Sequence, residues 1–207
     1  MICRDVSIKN ALRARKGLKT SLLNPYIYAT GGGGGGPATF IWNSATKGPT
    51  VTLSGANLIA NTNTANSVRG SVGRSSGTWQ FEITLGPSDP TNFWMVGIGN
   101  ASAPNTLYPG GDANGIGYYA ASGAAFGLGG STGWGVGAGN AQVLTIRWNA
   151  GTGVISAKID GVDQGPASYT ITGTLFPMVG DGGTGAPGQT FKINTTILYP
   201  YAGAGSW

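Results

Sequence analysis

From Phe40 onward, short runs of alternating apolar and polar residues are separated by glycine, proline, asparagine and aspartate. The clearest run is TWQFEITL, residues 78–85, with Trp79, Phe81, Ile83 and Leu85 on one face and Thr78, Gln80, Glu82 and Thr84 on the other. A period of two predicts an antiparallel strand with one face in the core and one in water. On that reading Glu82 is a solvated surface carboxylate. NFWMVGIGN, 92–100, is apolar on both faces and is expected to be covered on both. VLTIRWN, 143–149, aligns Leu144, Ile146 and Trp148, and GVISAKIDG, 153–161, aligns Ile155, Ala157 and Ile159. NAGTG between them reads as a hairpin loop and Asp160–Gly161 as a second turn, with Asp163 just after it. TFIWN (39–43), PTVTLSG (49–55), GIGYYAAS (115–122), AAFGLG (124–129), FPMVG (176–180) and QTFKINTTILY (189–199) complete the expected strands. No segment after residue 37 carries a helical period, and none repeats at a fixed interval. Residues 37–207 are therefore predicted to be all-β, two antiparallel sheets packed as a sandwich, with Trp79 and Trp148 in its core.

Composition changes the picture ahead of that body. Charged residues are 9% of the chain, against roughly 25% in ordinary soluble domains. Glycine is 39 of 207 residues, while six Trp, eight Tyr and six Phe argue for a packed core rather than disorder. The net charge of +5 is unevenly placed. Residues 1–36 hold Arg4, Lys9, Arg13, Arg15, Lys16 and Lys19 against Asp5 alone, whereas residues 37–207 hold six basic and six acidic side chains and are neutral. Residues 1–30 thus read as a basic arm, extended until it meets a surface, in which Tyr26 and Tyr28 have no domain of their own to pack against. A helix starting near Ser7 is too short to be stable alone in water. Residues 31–36 are six consecutive glycines, the composition of a flexible tether. No GK[ST] follows them, so they are not a phosphate-binding loop. Cys3 is the sole cysteine, excluding an internal disulfide and leaving an intermolecular one as its sharper reading. The longest apolar run of the arm is a leucine pair, so no secretory leader is expected, and no stretch is long and apolar enough for a membrane span.

The order of motifs GTWQFEITL, WMVGIGNAS, GIGYYAASGAAF, LTIRWNAGTGVISAKIDGVDQG, LFPMVG and QTFKINT resembles the SPRY/B30.2 family over about residues 70–195. The resemblance implies a concanavalin-like, jelly-roll β-sandwich that binds protein or glycan through loops at one edge and is not catalytic. It also implies a module of the kind found in bacteriophage virion proteins. Two features depart from the family pattern. TIRWNAG carries Arg147 and Asn149 where the family has an aspartate-rich strand, and the loops are far richer in glycine, so peptide-binding habits of the family are not carried over.

Catalytic chemistry has little to work with. Histidine is absent, which removes the commonest general base and the commonest metal ligand. GIGYYA, 115–120, nominally fits a nucleotide-binding fingerprint, but no helix can follow it. Asp112 in GGDANG and Asp181 in GDGGTG are loop acids without the spacing of a calcium loop. No cofactor, no metal and no enzymatic activity are expected. The candidate ligand-loop residues are Tyr108, Asp112, Tyr118, Tyr119, Trp134 and Asp181, whose rings mark an interaction site where they form a contiguous patch. The neutral body and the lack of a base-reading motif argue against nucleic acid as partner and for docking of the arm on an acidic protein surface. The expected function is that of a virion structural protein, present in many copies. Its arm would hold to capsid, neck or tail, and its sandwich would decorate or stabilise the particle or contact the host. The alternative is a glycan-binding adhesin module of a tail fibre or spike. A carbohydrate-active enzyme on Glu82, Asp112 and Asp181 is the third reading.

Overall fold

The computed structural model describes residues 40–87, 93–183 and 188–207. The arm residues Arg4, Lys9, Arg13, Arg15, Lys16, Lys19, Tyr26 and Tyr28, together with Cys3 and the hexaglycine, lie outside the described residues. In chain order the strands are β1 (Trp42–Lys47), β2 (Thr52–Ser54), β3 (Ile59–Thr62), β4 (Ser67–Gly70), β5 (Thr78–Leu85), β6 (Trp94–Asn100), β7 (Gly115–Tyr119) and β8 (Ala124–Gly127). They continue as β9 (Gly130–Gly133), β10 (Val143–Asn149), β11 (Val154–Ile159), β12 (Val162–Thr170), β13 (Leu175–Asp181), β14 (Gln189–Ile193) and β15 (Gly205–Ser206). No helix long and apolar enough to cross a membrane occurs among the described residues.

The strands form two antiparallel sheets packed face to face. One runs β1-β4-β13-β6-β7-β8-β9, the other β12-β11-β10-β5-β14-β3-β2, with β15 added beside β5. The expected hairpins are present. β10 pairs β11 from Trp148–Ile155 to Leu144–Ile159, and Asn149 Oδ1 accepts the Gly151 and Thr152 N–H groups of the loop. Asp160, at φ 47°, turns the chain into β12, and its carboxylate accepts the Val143 N–H and the Gln142 side-chain amide. β6 is buried on both faces, as its apolar run requires.

An aromatic spine crosses the core. Phe40 contacts Trp42 at 5.5 Å and Phe81 at 5.9 Å, Phe81 contacts Trp207 at 5.9 Å, and Trp207 contacts Trp148 at 5.8 Å. Most of these pairs are edge to face, the arrangement that the ring quadrupole favours. Trp79 lies at the margin instead, half-buried, with the Arg74 guanidinium 3.9 Å above its ring.

The polar face of β5 departs from expectation. Gln80 and Glu82 are fully buried, not solvated. QTFKINTTILY leaves the sheet after Ile193, and residues 194–204 pass over that face before β15 returns, parallel, at Trp79 and Gln80. Glu82 accepts the Tyr199 N–H at Oε1 (2.6 Å) and the Leu198 N–H at Oε2 (2.7 Å), with Thr145 Oγ1 at 3.0 Å and Asn194 Nδ2 at 3.4 Å completing its shell. Gln80 Oε1 accepts the Tyr201 N–H, and the Gln80 carbonyl accepts the Trp207 N–H. A buried carboxylate is tolerable only when its lone pairs are filled in this way. Lys158 and Arg147 close over Tyr201, 4.1 and 4.6 Å from its ring, and Lys158 Nζ also donates to the Pro200 carbonyl.

The strap is therefore held by polar side chains of β5 and delivers Trp207 to the core. Glu82→Gln is expected to cost about 1–3 kcal/mol, because an amide N–H then faces backbone donors. Trp207→Ala is expected to cost about 3–5 kcal/mol. Urea unfolding checks both, and a Glu82→Gln midpoint equal to that of the parent would show that the carboxylate does not hold the strap.

Candidate functional site

Strand parity sets the outer face of the seven-stranded sheet. In β7, Ile116 and Tyr118 point into the core, so Gly117 and Tyr119 point outward. Pairing carries the parity into β8, where Phe126 lies beside Gly117 and Ala125 beside Tyr118. Tyr119 and Phe126 share the outer face, edge to face at 5.6 Å. Phe93, just before β6, lies parallel to Tyr119 at 6.0 Å, and Tyr108 meets Phe126 edge-on at 5.8 Å. All four side chains are partly exposed, so Phe93, Tyr119, Phe126 and Tyr108 form one continuous aromatic row.

The row is held from both ends. The segment 101–114 folds back over the sheet and carries Tyr108. A side chain at Gly117 would collide with the Pro109 carbonyl oxygen, and one at Gly110, φ 84°, with that of Phe126, so glycine at both positions lets the loop lie flat on the strands. Arg69 pins the base of the loop, its Nη1 lying 2.6 to 3.1 Å from the carbonyls of Asn100, Ala101 and Ala103. Burial pulls this guanidinium below its ordinary value. Asp112 accepts the Asn114 backbone and side-chain N–H groups at 2.9 and 2.7 Å, and Asn100 Nδ2 donates to Asn114 Oδ1. At the other end Asp181 Oδ1 accepts the Gly183 N–H, and Gly183 lies so close under the Phe93 ring that any side chain there would strike it.

The structure divides the residues that the sequence singled out. Tyr108 and Tyr119 belong to the row, and Asp112 shapes the loop that bears Tyr108. Tyr118 is a correction: it is fully buried in β7, its hydroxyl donates to the Val136 carbonyl, and its ring packs 5.0 Å from Trp134 on the core side. Trp134 is likewise buried and donates its indole N–H to the Gly165 carbonyl at 2.9 Å. Asp181 is no open loop acid; it ends β13 in a buried position. Phe93 and Phe126 were missed. The signal was available in the GIGYY run, because two successive tyrosines in a strand must face opposite ways, and the outward one needs neighbours on adjacent strands.

Chemically the row can stack against the apolar face of a sugar or similar flat ligand, with rings in two orientations and the Tyr hydroxyls as hydrogen-bonding edges. Asp112 in its loop and Asp181 at the end of β13 each accept N–H groups two residues further along their own backbone. An open groove of about 280 Å³ lies on the other sheet, lined by Leu58, Lys192, Ile193, Asn194, Thr195, Thr196 and Leu198. It follows the strap and carries no aromatic side chain.

No protein-family model matches the sequence, and no curated protein matches it. Solved structures share the fold. The SPRY domain of human HERC1 superposes with a TM-score of 0.63 at 16% identity, covering 76% of this chain and 99% of that domain. The PSpry domain of TRIM65 gives 0.58 at 13% identity, covering 74% and 90%, and a further human SPRY domain gives 0.56 at 15%, covering 72% and 96%. The chain has a SPRY-like fold.

Burial raises the Tyr118 hydroxyl from 10.0 to about 12. The unfolded chain gives up this proton first, so the stability it supports is complete below about pH 10 and falls as the pH rises toward 12. Tyr201 is raised in the same direction, by burial and then by Asp163. Tyr118→Phe is therefore expected to flatten, without abolishing, the alkaline fall in urea midpoint. An unchanged slope would show that Tyr118 does not titrate in the folded protein.

Proposed function

We propose that the chain is a structural display component of a bacteriophage particle. Residues 1–30 dock on another virion protein of capsid, neck or tail, residues 31–36 are the tether, and the sandwich decorates or stabilises the particle or meets the host surface. The observation that carries this reading is the separation of charge. The whole excess of +5 lies in residues 1–36. Five of the six basic side chains of the body are turned onto the body itself, while Lys192 is exposed. Lys47 donates to the Val51 carbonyl, Arg69 to three loop carbonyls, Arg74 lies on Trp79, and Arg147 and Lys158 lie on Tyr201. The arm then holds most of the cationic charge on offer to an acidic surface, and the tether lets it reach that surface independently of the sandwich.

Particles lacking this component, mixed with full-length chain or with residues 37–207, test the reading. Attachment of the full-length chain alone, weakened by salt, is the expected result. Equal attachment of both would place the docking surface on the sandwich and remove the arm's role.

A second reading, a glycan-binding adhesin module, is favoured by the continuity of the aromatic row. Host-envelope polysaccharide should then bind the protein saturably, and Tyr119→Ala should weaken binding by about tenfold or more, the loss of one stacking contact. Silence across a broad glycan panel would leave the purely structural role.

A further inference from the structure

The four sheet edges are not protected alike. β1 carries Lys47 and an irregular register, β2 is three residues long, and β12 contains Pro166 and two register shifts. Each is a device that discourages pairing with another chain. β9, sequence GSTG, is four residues long but carries no charge, no proline and no irregularity: it pairs with β8 in unbroken register and is largely exposed. Between Asp112 and Arg147 the chain bears no charged side chain at all.

The two-residue turn Leu128–Gly129, at φ 55° and 75°, makes Gly127 and Gly130 a hydrogen-bonded pair. The Trp134 N–H bond to the Gly123 carbonyl confirms the alternation at the other end. Ser131 and Gly133 therefore turn their N–H and C=O groups to the open edge. Leu128 and Val136 stand four residues to either side of Thr132, 66% and 62% exposed. Val136 is held there by its backbone, which donates to Gln164 Oε1 and accepts from the Tyr118 hydroxyl. Leucine at a left-handed turn position, where asparagine or glycine is favoured, sacrifices local stability for an exposed apolar side chain.

We propose that β9 is the interface between two copies of this chain, paired antiparallel about a two-fold axis at Thr132. In that register Ser131 of each copy exchanges two backbone hydrogen bonds with Gly133 of the other, and Leu128, in the turn before β9, lies at the same end of the paired segment as Val136 of the other. The occupant is a second copy because the edge is complementary to itself. The outward donors and acceptors of Ser131 and Gly133 match across the axis, an exposed apolar side chain flanks the strand at either end, and no charge opposes the approach of an identical surface. The two seven-stranded sheets become one, with both aromatic rows on one side of it.

Sedimentation of the full chain over a concentration series should show a dimer. Ser131→Pro removes an N–H that has no partner among the described residues, at an edge position where proline is tolerated, and should abolish the dimer at unchanged thermal midpoint. Leu128→Asn suits the turn better and should raise the monomer's midpoint while weakening the dimer by about tenfold or more; it carries the test if the proline variant fails to fold. A chain monomeric at every concentration, or a dimer that persists in Leu128→Asn and Ser131→Pro, overturns the proposal. Slow exchange of the Ser131 and Gly133 amides in a monomer does so too, since another segment of the same chain would then cover the edge.

Discussion

The sandwich depends on one buried carboxylate. Glu82 sits in the middle of the central strand of its sheet, where a charge without partners would be untenable, and its two oxygens take the backbone N–H groups of Leu198 and Tyr199. Those bonds determine the path of the segment that follows β14. The path in turn brings the Tyr201 N–H to Gln80 and sets Trp207 between Phe81 and Trp148. The polar face of β5 thus organises the apolar core on its other side. Deleting the charge and deleting the indole act on one assembly, so their effects should not add.

The opposite sheet is covered by a different means. There the cover is the loop 101–114, which lies flat because Gly110 in the loop and Gly117 in β7 allow backbone to touch backbone. Such a loop contributes little side-chain packing, and Arg69 compensates by gathering three of its carbonyls. The consequence for function is geometric. A flat cover leaves the outward rings of β7 and β8 at the surface, while Tyr108 and Phe93 extend the row from the flanking segments.

The legible parts of the fold were those where side chains alternate strongly. β5, β10 and β11 match their predicted ranges closely, and both turns around β11 follow from Asn149, Gly153, Asp160 and Gly161. The strands that escaped are polar or glycine-rich: IANT of β3, SVRG of β4, GSTG of β9 and VDQGPASYT of β12. Their pairing is a matter of backbone and neighbours, which composition does not record. Glu82 was misjudged for a related reason. Polarity along a strand tells which face is not apolar, but not whether a later segment covers it. Tyr118 and Trp134 were misplaced because glycine-rich surroundings suggest a loop, whereas here the small neighbours let large rings sink into the core.

Scarcity of charge gives the two parts of the chain different kinds of contact. Six cations and six anions serve the whole of residues 37–207, and those described are drawn largely into internal contacts with carbonyls, amides and rings. What such a body can offer is aromatic surface and unpaired backbone, interactions that are short-ranged and little affected by salt. The first 36 residues carry the net charge of the chain, and the attraction of such charge reaches about 10 Å and weakens with ionic strength. On the proposed reading, a chain with its charge divided in this way is held at one place by electrostatics and makes contact at another by stacking and strand pairing.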